Sequence, residues 1–340
     1  MGKRKSDCGL EVVRHFFNEL HIEKERCVQH DRGFTWWAED VAQRIWSDPP
    51  VERNGTTVWK VNARTDFLAD FVDSEEHLGL LSELASHASL GGGLIRDDEQ
   101  RNRIQLASYL YATESTLNWA RLFFVTTAAT QVAEADVTAK MLAPLAGCSP
   151  AHSAHPLYGP RKRHPVLNIL GTFVREGRKP HVWTPDEFAE TAEVLTHRQV
   201  FPAAATDTGV TIEFPFREQR ALCEMTTRVE HPSYRNGLMV RLTLPFTLSE
   251  AEDPGIVLRC NKAEIESLTE ISHLTGSYSV SDSGFSYCNF IPNISAFRGV
   301  EFLTSLITFM GLRASWLAET ITGDDWPVVY QDPEPPKWMN

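Results

Sequence analysis

Three histidines lie close together near the middle of the chain, His152 and His155 in "HSAH" and His164 soon after. Two imidazoles three residues apart, with a third nearby, could serve as the donor set of a divalent metal if the backbone made them converge. Pro150, Pro156, Pro160 and Pro165 interrupt this stretch. Proline holds φ near about −65° and extends the residue before it, so the rings are expected to splay as solvated linker side chains. Arg161, Lys162 and Arg163 follow and could hold a phosphate or an acidic partner segment; the simpler reading is solvation or pairing with acids elsewhere. "SLGGGLIRDD" has the glycines of a phosphate cradle in the wrong order. A helix precedes and a strand follows, so a helix C-cap and a turn are expected. The acid runs Asp97, Asp98, Glu99 and Asp324, Asp325 fall at predicted turns, where solvation accounts for them. The six cysteines, at 8, 27, 148, 223, 260 and 288, have no C-x-x-C spacing, and no G-x-S-x-G elbow is present. No metal, cofactor or catalytic residue is assigned, and an enzyme is not expected.

The tryptophans offer a different chemistry. Trp36, Trp37, Trp46 and Trp59 fall in or beside predicted strands of the first half, where the second half carries Ile212, Glu213 and Arg241. Successive strand residues face opposite sides of a sheet, so one of Trp36 and Trp37 is expected to point away from the core. An outward tryptophan suits recognition of a peptide. The alternative is that this face packs on the other half or on the connector. The expected binding residues are Trp36, Trp37 and Trp59, with Arg161, Lys162 and Arg163 from the basic run.

The elements that must position these residues come in a repeated order. "LEVVRHFFNELHI" (10–22) has an apolar helical stripe, "GFTWWAEDVAQRIW" (33–46) opens as a strand, and "RNGTTV" (53–58) reads as a tight turn into another. Ser74 caps a helix with Leu78, Leu81 and Leu84 on one face, two strands follow around a polar turn, and a long helix runs from Ser115 to about Leu145. The second half repeats the series. Thr184 and Pro185 open a helix, "GVTIEFPF" (209–216) matches "GFT", and "EQRALCEMTTRV" reads as a strand arm or short helix. "RNGLMV" (235–240) repeats the turn, and Asn261 is expected to cap a helix whose Ile265, Leu268 and Ile271 copy the leucine stripe. A hairpin and a last helix with Phe297, Leu303 and Met310 facing inward close the series. Each half thus reads α-β-β-β-α-β-β-α, which points to gene duplication. The expected divisions are a first repeat over 1–146, a Pro-rich basic connector over 147–183 with an extended segment at "PVLNILGTFV", a second repeat over 184–322, and an acidic Pro-rich tail over 323–340.

Bulk properties narrow the function classes. With 340 residues, 42% apolar and 23% charged, the chain has the material for two ordinary folded domains. A net charge of −12 disfavours non-specific nucleic-acid binding and docking on anionic lipid. No apolar run nears the ~20 residues that span a bilayer. The start "MGKRKSDCGLEVV" has no secretory core, and Gly2 with Ser6 matches the loose myristoylation pattern as short patterns do by chance. A reduced, cytoplasmic setting is expected, with no nucleic-acid or membrane partner.

This element order, with its "RNG..V" segments and capped middle helices, resembles the type III secretion chaperone-like fold, and within it the YbjN-type bacterial proteins. The resemblance implies a non-enzymatic binding fold whose homodimers hold extended client segments, here made within one chain. The expectation is an α+β protein of two similar domains in a pseudo-twofold arrangement. It would be a monomer with an internal pseudo-dimer, or a homodimer, binding a protein or peptide client. The rival is an enzyme with its site in the cleft between the repeats, drawing on His87, His152, His155 or Asp97.

Overall fold

The computed structural model describes residues 7–53, 55–87, 91–97, 99–100, 102–199, 202–245, 255–267, 275–281 and 284–320. The protein is α+β, with two antiparallel sheets among the described residues. In chain order the first half comprises α1 (Cys8–Glu19), β1 (Cys27–His30), β2 (Gly33–Trp37), β3 (Ala42–Ser47), β4 (Val51–Arg53), β5 (Thr56–Ala69), α2 (Glu75–His87), β6 (Gly93–Arg96), β7 (Ile104–Ala112) and α3 (Leu117–Leu142). Strand β8 (Ser149–Pro150) and helix α4 (Ile169–Glu176) follow. The second half comprises α5 (Pro185–Gln199), β9 (Ala203–Thr206), β10 (Gly209–Phe216), β11 (Gln219–Thr226), β12 (Gly237–Thr243), α6 (Ile256–Glu266), β13 (Ser277–Ser281), β14 (Gly284–Pro292) and α7 (Val300–Thr320). These elements gather into two compact units. The first holds Met1–Asp73, Leu90–Leu170 and Ser272–Thr275; the second holds Ser74–Ser89, Gly171–Ile271 and Gly276–Asn340. Helix α2, although coded in the first half, therefore belongs to the second unit.

Local signals set the helix ends. Asp7 accepts the Leu10 N–H at 3.0 Å and starts α1, whose Val12, Val13 and Phe16 are buried. Phe16 then meets Phe34, Trp36 and Phe124 at 6.0–6.3 Å between ring centres, joining α1 and α3 to one face of the first sheet. At α5, Thr184 and Glu187 form a reciprocal capping box with Pro185 at the first helical position. In the second unit α5 and α7 pack together, and α7 lies so close to β10 that a Cβ on Gly311 would sit 2.8 Å from the Phe214 ring.

The strands of the first sheet run β1-β2-β3-β5-β7-β6, with β4 and β8 as short additions along β5. Those of the second run β9-β10-β11-β12-β14-β13, the same order position by position. Each sheet opens on a hairpin closed by two residues, Asp31–Arg32 before Gly33 and Asp207–Thr208 before Gly209. Both glycines are required by close backbone approach. A Cβ would lie 2.1 Å from the Ile45 carbonyl oxygen at Gly33 and 1.9 Å from that of Met225 at Gly209. Near the opposite edge, Gly92 and Gly276 take φ of +157° and +90°, and a Cβ on either would lie 2.4 Å from a carbonyl oxygen, of Ala107 or Cys288. The pairing carries the match inward. Gln43 stands opposite Trp36 as Cys223 does opposite Ile212, and Arg64 opposite Arg44 as Arg241 does opposite Glu224.

Several expectations need correction. The "RNG" echo is not a register match, because Gly237 pairs with Pro292 where the equivalent pair in the first sheet is Lys60 with Tyr111. Arg53 closes a hairpin onto Thr56, whereas Arg235, at φ +63°, closes a loop onto His231. Asn261 does not cap α6, which begins five residues earlier; it is buried and bonds Ser277 and the Tyr278 N–H. Leu268 and Ile271 lie outside the described residues. "PVLNILGTFV" is helical, because Pro165 opens the turn, His164 caps it and Phe173 is buried on the helix face. The strands β1 and β9 were not expected, and "EQRALCEMT" is a strand.

Substituting either Gly33 or Gly209 by alanine is expected to destabilise the protein by about 1–3 kcal/mol, since a carbonyl oxygen occupies the Cβ position. Denaturant unfolding measures this, and an unchanged midpoint would show that the strands can part at no cost.

Candidate functional site

All three tryptophans proposed as a binding face are buried, which corrects the expectation of an exposed aromatic. Trp36, at 0% exposure, faces α1 and α3, and its Nε1–H donates to Gln43 Oε1 at 2.9 Å. Trp37 points to the opposite face, as the strand geometry requires, yet is only 7% exposed. Its Nε1–H donates to Ser153 Oγ at 3.1 Å and its ring meets His155 at 4.8 Å. The connector, the alternative partner named for this face, covers it. Trp59 is 3% exposed. Trp46 is half-buried under the guanidinium groups of Arg44 and Arg64, 4.9 and 5.6 Å from its ring centre.

The basic run is pinned to the same unit. Arg161 donates to the Glu25 and Tyr158 carbonyls, the Lys162 carbonyl accepts from Arg26 at 2.6 Å, and Arg163 pairs with Glu39 at 2.8 Å and Asp136 at 2.9 Å. Glu39, Asp40 and Asp136 bring carboxylate oxygens within 4.8 Å of one another. The charge of this trio is already met by Arg163 and by Lys140, which bonds Asp136. The three histidines do not share a centre. His152 Nδ1 lies 3.0 Å from Asp40, while the Nδ1 atoms of His155 and His164 accept backbone N–H groups. Nor are those two solvated, as expected from the sequence: both are buried because the connector lies on the sheet.

The glycine run is a packing device. Gly91 N–H bonds the Glu134 carboxylate, the Gly91 carbonyl accepts from Gln131 at 2.8 Å, and a Cβ there would strike the Gln131 backbone. Asp97 caps its own turn by accepting the Glu99 and Gln100 N–H groups. The His87 side chain and residues Asp98, Asp324 and Asp325 lie outside the description.

Each unit buries one polar cluster whose hub comes from its last helix. In the first, Gln131 accepts from Thr65 Oγ1 at 2.7 Å and links through Gln43 to Trp36. In the second, Arg313 grips Glu264 at 2.6 and 2.8 Å, lies 3.6 Å from the Tyr287 ring centre, and shares Glu264 with the Tyr278 hydroxyl. Burial pushes the hydroxyls of Tyr278 and Tyr287 and the thiols of Cys223 and Cys260 upward. The Glu264 charge holds Arg313 above its ordinary value against desolvation. Arg313, Glu264 and Tyr278 are closed inside the fold and bonded to one another, an arrangement that positions the elements they join.

Sequence reasoning passed over one repeat that the structure makes plain. His155-Pro-Leu-Tyr158 and His231-Pro-Ser-Tyr234 build the same turn. In each, histidine Nδ1 accepts two backbone N–H groups at 3.1–3.2 Å, and the ring meets the tyrosine at 4.9 or 4.5 Å. The residue closing each turn, Gly159 or Arg235, has φ near +65°. The signal was the H-P-x-Y spacing. No family model, curated protein or solved structure matches the chain.

Arg313→Met is expected to cost about 3–5 kcal/mol, because it strands the Glu264 charge in the core. Replacing both partners, with Glu264→Leu added, should cost clearly less than the single change. A single variant within about 1 kcal/mol of the parent in a double-mutant cycle would show that Glu264 is not held as a buried anion.

Proposed function

We propose that the chain is a non-enzymatic, chaperone-like protein-binding module in which two copies of one fold, products of a tandem duplication, stand in for the subunits of a homodimer. The observation that carries this reading is the shared strand order, with glycines at matched close approaches in both sheets. Its layout of helix, strands, helix, two strands and helix suits the type III secretion chaperone-like fold and the YbjN-type proteins. The module acts in the cytoplasm as a monomer with an internal pseudo-dimer.

The client is an extended polypeptide segment that adds to the outer edge of β9. This strand, Ala203-Ala204-Ala205-Thr206, is largely exposed and carries neither charge nor proline, the usual guards of a sheet edge. It pairs on one side with β10. The Thr206–Gly209 pair flanks a two-residue turn, so alternation of the ladder aims the Ala205 N–H and carbonyl away from β10. Main-chain pairing would supply affinity there, and neighbouring side chains the selectivity.

Fluorescence anisotropy with a panel of labelled unstructured polypeptides tests this. Saturable binding is expected, and Ala205→Pro should weaken it at least about tenfold without altering the far-UV spectrum, since proline is tolerated where an edge N–H faces out. Equal binding by that variant would remove β9. Absence of binding to every polypeptide, with a metal or small molecule extracted from the purified protein, would favour an enzyme.

A further inference from the structure

Residues 149–168 lie across the first sheet as a strap. The strap begins as β8 beside β5, bridges Val41 at His152, and is held by two backbone bonds of 2.7 Å, Ser153 N–H to the Asp40 carbonyl and His164 N–H to the Ala38 carbonyl. It covers Trp37. The equivalent residue of the second sheet, one past Ile212, is Glu213, which is exposed. The Trp37 face is therefore one that the same fold leaves open elsewhere.

Two imidazoles close the strap by acting as hydrogen-bond acceptors. His155 Nδ1 accepts the N–H groups of Leu157 and Tyr158 at 3.1 and 3.2 Å, and His164 Nδ1 accepts that of Val166 at 3.2 Å. The rings are 2% and 7% exposed, one against Trp37 and the other against Trp36. A ring protonated at Nδ1 has no lone pair to offer and turns an N–H toward N–H donors. We propose that the strap is an acid-responsive latch: protonation of His155 and His164 at Nδ1 loosens the backbone on either side of the ion-paired Arg163 and uncovers Trp37.

The surroundings favour that response. Burial, then the Arg26 charge and His21, depress the pKa of His164 below the ordinary imidazole value, opposed by Glu23 and the Leu20 backbone. His155 faces Trp37 and Tyr158, Arg161 lies 5.5 Å from the Tyr158 ring centre, and the buried Nε2 of His155 meets no carboxylate among the described residues. Two ionic anchors act the other way. The contact of His152 with Asp40 and the pairing of Arg163 with Glu39 and Asp136 do not use the Nδ1 bonds and hold the strap at residues 152 and 163. The strap thus lifts as a loop tethered near both ends and can close again. Because burial depresses the pKa of His164 and closure needs its Nδ1 unprotonated, closure is complete above the ordinary imidazole pKa of about 6.5 and is lost as pH falls below it, by up to about tenfold per pH unit for that ring.

Hydrogen exchange of the full chain, corrected for intrinsic rates and compared at about pH 7.5 and about pH 5, tests the latch. Protection across 153–168 is expected to drop at least about tenfold in acid while 209–226 in the second sheet keeps its own. A His155→Asn, His164→Asn variant should stay closed at both pH values, because the asparagine Oδ1 accepts the same N–H bonds and does not titrate. Unchanged protection in the parent overturns the proposal. So does equal loss in the Asn variant, or parallel loss over 209–226, since either would mean general acid unfolding.

Discussion

Helix α2 seals the edge of the second sheet, and the rest of the architecture depends on that lodging. Strand β13 ends the sheet, so its outer backbone groups would otherwise stand open to any passing strand. Ser82 closes them: its hydroxyl accepts the Val280 N–H at 2.9 Å and donates to the Val280 carbonyl at 3.1 Å. Leu78, Leu81 and Ala85 are buried on the same helical stripe. A segment coded before β6 is thereby required to complete a unit whose other elements are coded after residue 170. Residues 171–340 therefore lack one helix of the second unit, which comes from chain made much earlier.

The two units solve the same packing problem with different chemistry. Where the first places Gln43 in the layer between sheet and last helix, the second places Cys223; where α3 offers Gln131, α7 offers Arg313. The first unit holds a neutral amide network and the second a buried ion pair with two tyrosines, each satisfied within its own unit. Backbone register agrees where side-chain identity does not, and a slip by one residue would turn every strand inside out. The two sheets share close-approach glycines at matched positions while their side chains differ.

Much of this frame was legible in the sequence. Apolar spacing located α1, α3 and α7, the Thr184-Pro185 start located α5, and the Gly-Phe-Thr and Gly-Val-Thr openings identified equivalent strands. The repeated Arg-Asn-Gly, by contrast, suggested duplication from positions that do not correspond, since a turn tripeptide reports local backbone and not register. Residues 149–168 were misjudged for a physical reason. Prolines and charges describe an extended, solvated linker equally well whether it floats or lies on a sheet, and the Nδ1 bonds that bury its histidines are tertiary. For the same reason Trp37 could be placed on the outward face but not known to be covered. The lodging of α2 left no trace in composition, because an amphipathic helix fits any apolar surface.

The most direct test is to produce residues 171–340 alone and measure their unfolding, with and without a synthetic peptide of residues 74–89. The account predicts that the fragment lacks a cooperative transition and gains one when the peptide fills the edge at β13. A fragment that unfolds cooperatively by itself, with a midpoint the peptide does not move, would contradict it.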